Sequence, residues 1–366
     1  MKKVILVCGA RPNFMKVSPI IAAMRKSGRL TPYLVHTGQH YDEKMYKSFF
    51  ELLRIPKPDI DLGVGSGTHS EQTGRIMVEF EKVCQVEKPD LVAVVGDVNS
   101  TMACAIAAKK LWVPVAHVEA GLRSFDMKMP EEVNRLVTDS ITDLFFTTDP
   151  DANANLAREG VDPARVHYAG NVMIDSLLSN LEMAADNPIL EELGVKPGEY
   201  CFLTMHRPSN VDDKEILRGL LGAFEYVQNR IPIVFPAHPR TVKMIGQFGF
   251  SDWMASMANL KVREPLDYHQ MLKLNRHARF ALTDSGGLQE ETTVLGIPCI
   301  TMRNNTERPV TVEVGTSEVV GTDPAKIKSA ADRILAGQWK KGGIPEGWDG
   351  KAGVRIVAAM EKFLKA

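Results

Sequence analysis

Asp97, Glu119 and Glu131 are carboxylates that fall where apolar runs give way to polar ones, and Arg135 follows the last of them by one helical turn. Glu119 comes directly after Val115-Ala116-His117-Val118, which reads as a short buried strand. Open α/β sheets gather their ligands at such carboxyl ends. Pro130 marks a helix start, because its missing N–H would have no intrahelical partner at the first position. On that helix Glu131 and Arg135 share a face, so an ordinary surface ion pair accounts for their spacing as well as a site does. Asp97 lies in Gly96-Asp97-Val98-Asn99-Ser100-Thr101, a strand-to-helix junction where helix capping is the commonest work for an acid. Asn99, Ser100 and Thr101 can cap instead, which frees Asp97 for a ligand. Carboxylates gathered in this way can take up and return protons.

A second set of residues suits an anion. Arg11 and Lys16 flank the helix start that follows Cys8-Gly9-Ala10, and helix amino termini already favour negative charge. That turn lacks the second and third glycines of a dinucleotide fingerprint, which argues against a nicotinamide cofactor. Ser285-Gly286-Gly287 separates the apolar run Phe280-Ala281-Leu282-Thr283 from a helix. Glycines there let backbone N–H groups approach a phosphate, and the Ser285 hydroxyl adds a donor. Glu291, one turn on, can accept from sugar hydroxyls. A plain tight turn is the competing reading. Arg308, in Thr306-Glu307-Arg308-Pro309, puts a further cation near the same edge. His206 follows the first apolar run of the second half, with His238 a second candidate of the same type, although a lone histidine is usually structural. The spacing of a zinc site and the acids of a calcium loop are both missing, so no metal is expected.

Those residues need elements to hold them. Apolar runs recur at residues 4–8, 33–36, 91–95, 115–118, 144–147 and 166–169, and again at 201–205, 233–236, 260–262, 280–283, 299–302 and 319–320. Segments of helical length and spacing separate most of them. Strands alternating with helices predict parallel sheets covered on both faces, here two doubly wound α/β domains. A helical run at 174–185 gives way to Asn187-Pro188 and Gly194-Val195-Lys196-Pro197-Gly198, which places the seam between 171 and 200 and sets the domains at 1–171 and 172–352. A last helix is expected from Gly353.

The totals agree with that plan. A chain of 366 residues is long enough for two domains. Its 44% hydrophobic and 24% charged content is ordinary for a globular protein. A net charge of −1 offers no surface for a polyanion, so nucleic acid is not an expected partner. The five scattered cysteines predict reduced, buried thiols and a cytoplasmic protein. Met1-Lys2-Lys3 opens like a signal peptide, but Gly9 and Arg11-Pro12 break the apolar run, which reads as a first strand. No apolar run reaches the roughly 18 residues of a membrane span, and no membrane partner is expected.

Taken in order, Gly9-Ala10-Arg11-Pro12, Gly96-Asp97, His117-Val118-Glu119-Ala120-Gly121-Leu122-Arg123, Pro130-Glu131-Glu132-Val133-Asn134-Arg135, His206-Arg207, Asp284-Ser285-Gly286-Gly287-Leu288-Gln289-Glu290-Glu291 and Thr306-Glu307-Arg308-Pro309 form a set. The set resembles the non-hydrolysing UDP-N-acetylglucosamine 2-epimerases along almost the whole chain. The resemblance implies two Rossmann-like domains of the GT-B type facing across a cleft that holds the active site, a last helix (353–366) packed back on the first domain, and a homodimer. It implies reversible epimerisation at C2 of a UDP-sugar substrate, without a cofactor. UDP leaves C1, 2-acetamidoglucal forms, and UDP adds back after a proton reaches the opposite face of C2.

By position, the resemblance implies diphosphate binding by Arg11, His206, Ser285, Gly286 and Arg308, with Lys16 and Gly287 in the same substrate set. Glu291 matches the ribose-binding acid, and Asp97, Glu119 and Glu131 match the acid/base carboxylates with Arg135 beside them; His206 is a further catalytic candidate. Three stretches depart from the family pattern. Ala10 and Asn13 stand where Thr and Glu are commonest, Pro208-Ser209-Asn210 replaces an acid, and Gln39-His40 is followed by Tyr41-Asp42 instead of Arg. The last departure argues against activation by a second UDP-N-acetylglucosamine. A hydrolysing epimerase, a UDP-diacetamido-sugar 2-epimerase, a GT-B glycosyltransferase and a catalytically silent nucleotide-sugar sensor are the alternatives.

Overall fold

The computed structural model describes residues 1–38 and 57–366, apart from the side chains of Arg11 and Pro12. The expectations for the Arg11 guanidinium and for Gln39-His40-Tyr41-Asp42 therefore lie outside the described residues. The chain divides into two compact units, Met1–Leu178 with Glu346–Ala366, and Ser179–Pro345.

In the first unit the strands are β1 (Lys2–Cys8), β2 (Leu30–His36), β3 (Ile60–Asp61), β4 (Leu91–Val95), β5 (Val115–Val118), β6 (Leu144–Thr147) and β7 (Val166–Tyr168). They pair in parallel in the order β3-β2-β1-β4-β5-β6-β7. Every residue of β4 is buried, as a strand covered by helices on both faces requires. The apolar runs of the sequence become strands because β-branched and aromatic side chains pack well on a pleated surface. β3 has no such run: its two residues are held by pairing with Val35 and His36.

The second unit contains β8 (Cys201–Thr204), β9 (Ile233–Pro236), β10 (Leu260–Arg263), β11 (Phe280–Thr283), β12 (Cys299–Thr301) and β13 (Ser317–Val319). Their order is β10-β9-β8-β11-β12-β13, again parallel throughout. Alternate residues of β8 feed opposite faces. Cys201 and Leu203 pack with Leu217, Phe224 and Ile327 of the helices Lys214–Gln228 and Pro324–Leu335, while Phe202 packs with Leu190, Leu274 and Leu288 on the other side. β13 begins two residues before the expected apolar pair Val319-Val320, because pairing with Cys299 sets the register of this edge strand at Ser317.

The helix that follows β1 is Arg11–Ser27 and continues through Pro19. A proline inside a helix cannot donate to the carbonyl four residues back, here that of Met15. The buried Ser176 hydroxyl donates to Met15 O in its place. Ser176 lies on the helix Val172–Ala185, whose Asp175 accepts from the N–H groups of Ala352 (3.0 Å) and Gly353 (2.8 Å) at the start of the last helix, Ala352–Leu364. A carboxylate at a helix amino terminus satisfies orphan donors and complements the helix dipole. Replacing Ser176 by alanine leaves a buried carbonyl without its donor and is expected to lower stability by roughly 1–3 kcal/mol. An unchanged urea midpoint for Ser176→Ala would show that Met15 finds another partner.

Candidate functional site

Each sheet reverses its strand order once, between β1 and β4 in the first unit and between β8 and β11 in the second. At such a switch point the connections leave in opposite directions and open a crevice at the carboxyl ends of the strands. Lys16, Asp97, Glu119 and Arg135 gather at the first of these, and His206, Ser285, Gly286 and Arg308 at the second.

In the first unit the turn after β1 is organised by Asn13. Its Oδ1 accepts from Gly9 N (3.2 Å) and Ala10 N (3.0 Å), and its Nδ2 donates to Val95 O (2.9 Å) at the end of β4. An asparagine both donates and accepts, so it joins two strand ends where the family's usual glutamate could only accept. One turn along the same helix, Lys16 Nζ reaches Glu119 Oε2 at 2.6 Å, with 8% of the Lys16 side chain and 2% of the Glu119 side chain exposed. Gly96, φ 67°, lies against this pair: a side chain there would meet Lys16 Nζ at 2.9 Å. Glu119 itself takes a left-handed backbone, φ 70°. For a residue other than glycine this costs on the order of 1–3 kcal/mol and requires support from its surroundings. Ala120 N→Phe146 O and Gly121 N→Asp139 Oδ2, both 3.0 Å, supply it.

Asp97 follows Gly96 and does not cap the next helix. That helix, Asn99–Lys110, has Val98 at its N-cap with no side-chain bond. Asn99, Ser100 and Thr101 are engaged elsewhere: Asn99 Nδ2 donates to Gln72 Oε1, Ser100 Oγ meets Thr37 Oγ1, and Thr101 Oγ1 donates to Val95 O. The Asp97 carboxylate instead accepts from Arg135 Nη1 at 2.5 Å. Arg135 is 1% exposed, and its remaining donors go to Glu132 Oε2 and Ser124 Oγ.

The pairing suggested by spacing, Glu131 with Arg135, therefore does not form; among the described residues no hydrogen bond or ion pair joins them. The helix Pro130–Ile141 turns Glu132 and Arg135 inward together and leaves Glu131 exposed beside the helix start. Glu132 is the acid that sequence reasoning missed. It accepts from the N–H groups of Ser124 and Phe125, both at 2.9 Å, as well as from Arg135. Burial works to raise its carboxyl, but those N–H groups and the guanidinium outweigh it and hold it below the ordinary carboxylate range.

In the second unit His206 follows β8, and Asp284 follows β11. Asp284, wholly buried, accepts from the N–H groups of His206 and Arg207 (both 2.9 Å), and its Oδ1 lies 3.0 Å from His206 Nδ1. Burial pushes the Asp284 carboxyl up, and the contacts of His206 and Arg207 bring it below the ordinary range. The carboxylate holds the ring by Nδ1, and 43% of the His206 side chain stays exposed. Asn210, within the segment that departs from the family pattern, donates to Asp284 Oδ2 (3.2 Å) and Met302 O (2.9 Å).

The helix Gly286–Leu295 starts with Ser285 at its N-cap and no side-chain cap bond, which leaves its first N–H groups available to an anion. Arg308 lies against that start, since a side chain at Gly286 would meet Arg308 Nη1 at 3.0 Å and Glu307 Oε1 at 2.8 Å. Nothing lies within 4 Å of the corresponding point at Gly287. Two carboxylates fix the guanidinium: Glu290 bonds Nε, and Glu307 bonds Nη1 at 2.6 Å while also holding Arg303 at 2.7 Å. Burial alone would raise the Glu307 carboxyl, but the charges of Arg308 and Arg303 hold it well below the usual range. Glu291 is different in kind. It accepts from Tyr268 Oη (3.3 Å) and Asn275 Nδ2 (3.2 Å), has no cation partner among the described residues, and is pushed up by burial to about 7.

The cluster in the first unit can hold or move a proton, and that in the second can bind an anion beside a hydrogen-bonding acid. Breaking the buried Lys16–Glu119 pair strands a charge, which typically costs roughly 3–5 kcal/mol. Lys16→Met is expected to lose that much, and Lys16→Met/Glu119→Gln to recover a large part. Denaturant titrations of the four members of this cycle give the coupling, and additive losses would show that the two groups do not interact.

Residues 22–361 match the family described as UDP-N-acetylglucosamine 2-epimerase. The chain is 44% identical over 365 residues to the UDP-N-acetylglucosamine 2-epimerase of Methanocaldococcus jannaschii, covering 98% of each chain. It is 40% identical to the UDP-2,3-diacetamido-2,3-dideoxy-D-glucuronate 2-epimerase of Pseudomonas aeruginosa, with 99% of this chain and 100% of that one covered. In structure it is similar to the M. jannaschii UDP-GlcNAc 2-epimerase in complex with UDP-GlcNAc and UDP, at a TM-score of 0.91 and 43% identity over 99% of this chain and 100% of that one. With two doubly wound parallel sheets, the matching family and relatives that span its whole length, the chain belongs to the UDP-N-acetylglucosamine 2-epimerase family.

Proposed function

We propose that this chain interconverts UDP-N-acetylglucosamine and UDP-N-acetylmannosamine by eliminating UDP and adding it back, without releasing a free sugar. One observation carries the reading: at one switch point Glu119 and Asp97 are each held by a cation, while the other switch point presents an uncapped helix start beside Arg308 and His206. The C2 hydrogen of the sugar has no adjacent carbonyl to acidify it. Its removal therefore has to be coupled to loss of the C1–oxygen bond, whose electron pair leaves with the diphosphate. Negative charge grows on that leaving group, and preorganised donors aimed at it lower the barrier. Ser285, Gly286, Gly287, His206, Arg308 and Arg11 take this work. Asp97, Glu119 and Glu131 exchange the proton on the two faces of C2, with Lys16 and Arg135 holding Glu119 and Asp97 in place. Return of UDP to C1 after protonation of the opposite face gives the epimer, and every atom of the substrate except the exchanged C2 hydrogen is retained. A homodimer belongs to the same proposal and is checked by light scattering.

The relative from P. aeruginosa favours a second reading, in which a UDP-diacetamido-uronic acid is the substrate. Proton NMR in deuterated water decides among the outcomes. UDP-N-acetylmannosamine carrying deuterium at C2 is expected. Free N-acetylmannosamine with UDP would mean a hydrolysing enzyme, and exchange only with the diacetamido sugar would move the substrate. Glu119→Gln and Glu131→Gln are each expected to lower turnover about a hundredfold, the lower range for an acid or base group. Normal turnover in both removes these acids from the mechanism.

Glu291 supplies a pH dependence. A ribose binds best to the ionised carboxylate, and the free protein holds this group protonated below about 7. Affinity for UDP should therefore fall as pH drops below 7, with a proton released on binding. The linked effect on stability has the opposite sense. The folded pKa lies above the ordinary glutamate value of 4.5, so the stability that the protonated group contributes is complete below about 4.5 and is lost as pH rises through about 7. Calorimetry across this window should show the fall in the wild type, and a smaller one in Glu291→Gln. Parallel profiles would mean that the acid does not meet the ribose.

A further inference from the structure

His117 lies on β5 with its side chain wholly buried, two residues before Glu119. Its Nε2 is 2.8 Å from Gly96 O, and a carbonyl only accepts, so Nε2 carries the hydrogen of that bond. Gly96 is thus gripped at both ends from β5, because its own N–H donates to Val118 O at 3.0 Å. The next residue is Asp97. On the other side of the ring, Nδ1 lies 2.6 Å from Asp139 Oδ1. The second oxygen of Asp139 accepts from Gly121 N at 3.0 Å and meets Arg123 Nη2 at 2.7 Å. Burial works to raise the Asp139 carboxyl, but His117 and Arg123 hold it below the ordinary carboxylate range. Gly121 ends the turn in which Glu119 adopts its left-handed backbone.

Asp139 stands one turn beyond Arg135 on the helix Pro130–Ile141, on the same face. One helix therefore holds the Asp97 carboxylate directly through Arg135 and the Glu119 turn through Asp139. His117 ties the two turns to each other. None of these bonds is needed to close the sheet, because the ladder partners of β5 are backbone groups of β4 and β6.

We propose that His117 and Asp139 are positioning residues that fix the separation of the Asp97 and Glu119 carboxylates, His117 through the Gly96 carbonyl and Asp139 through the Gly121 N–H. The proposal rests on the reading of those acids as proton carriers. Displacement of a reacting group by about 1 Å can cost a factor of 10² in rate. A buried pair that sets the register of two acids acts on kcat while leaving the diphosphate cradle alone.

The test compares wild type with His117→Gln, His117→Asn and Asp139→Asn in turnover of UDP-N-acetylglucosamine, deuterium wash-in at C2 and calorimetric UDP affinity. His117→Asn and Asp139→Asn should lose about 10² in kcat with KM and UDP affinity near the wild-type values. His117→Gln keeps an amide donor toward Gly96 O and should recover most of the lost rate. Normal kcat in the Asn variants overturns the proposal, as does equal loss in His117→Gln and His117→Asn, or a parallel loss of UDP affinity. On the unaltered protein, slow hydrogen exchange at Gly121 N–H is required, and fast exchange overturns the proposal even if a variant fails to fold. A wild type that turns over no sugar at all sinks the underlying reading, whereas an active wild type with fully active variants removes only the positioning role.

Discussion

A guanidinium taken out of water has to be matched by acceptors on every side, and much of the first unit's polar architecture follows from burying Arg135. Desolvating such a cation is expensive, and only close, well-aligned carboxylates offset the cost. Asp97, Glu132 and Ser124 Oγ do so here, and each arrives from a different segment. The loop after β5 is consequently tied to the helix Pro130–Ile141, and the turn after β4 is tied to both. Remove the guanidinium and three buried or half-buried polar groups lose their common partner. The same logic applies to Lys16 and Glu119, which neutralise each other beside Gly96. The buried acids are compensated in two groups, Asp97 and Glu132 by Arg135 and Glu119 by Lys16.

The second unit shows the converse arrangement. A helix start open to an anion lies beside Arg308, and Arg308 and Arg303 are themselves buried and need acceptors of their own. Glu290 and Glu307 hold the Arg308 guanidinium at the helix start, and Glu307 also holds Arg303. The glycines at that start have separate uses: Gly286 makes room for Arg308, and Gly287 leaves an open approach. Asp284 orients His206 and shares its other oxygen with two N–H groups and Asn210. Glu291 is the exception, an acid in an apolar setting whose partners are neutral, and its protonation follows from that setting.

Several local features of the sequence carried over directly into structure. Pro130 opens its helix, and Ser285 stands at the N-cap before two glycines. Other signals misled. Glu131 and Arg135 have the spacing of a pair, but the helix docks with Glu132 facing Arg135, and a shift of one residue rotates a side chain by about a quarter-turn or more around the axis. Asn99, Ser100 and Thr101 are expected to cap and so to free Asp97, whereas the helix starts at Asn99 with no side-chain cap and Asp97 is held by Arg135 instead. Pro19 sits inside its helix because Ser176, distant in sequence, takes the carbonyl that the proline cannot reach.

What the sequence determined by itself is what depends on near neighbours: the alternation of apolar strand and amphipathic helix, the turns, and an ordered set of motifs with the chemistry of acids and phosphate donors. Side-chain period and turn preference are local properties, so they can be read one segment at a time. Partnership is not. Lys16 with Glu119, Asp97 with Arg135, His117 with Asp139 and His206 with Asp284 are separated by long stretches of chain. They were decided only when parallel pairing brought strand ends together in the orders β1-β4-β5 and β8-β11. The physical reason is burial: a charge at such an edge selects whichever opposite charge the packing delivers to within about 3 Å, and packing is a property of the whole sheet.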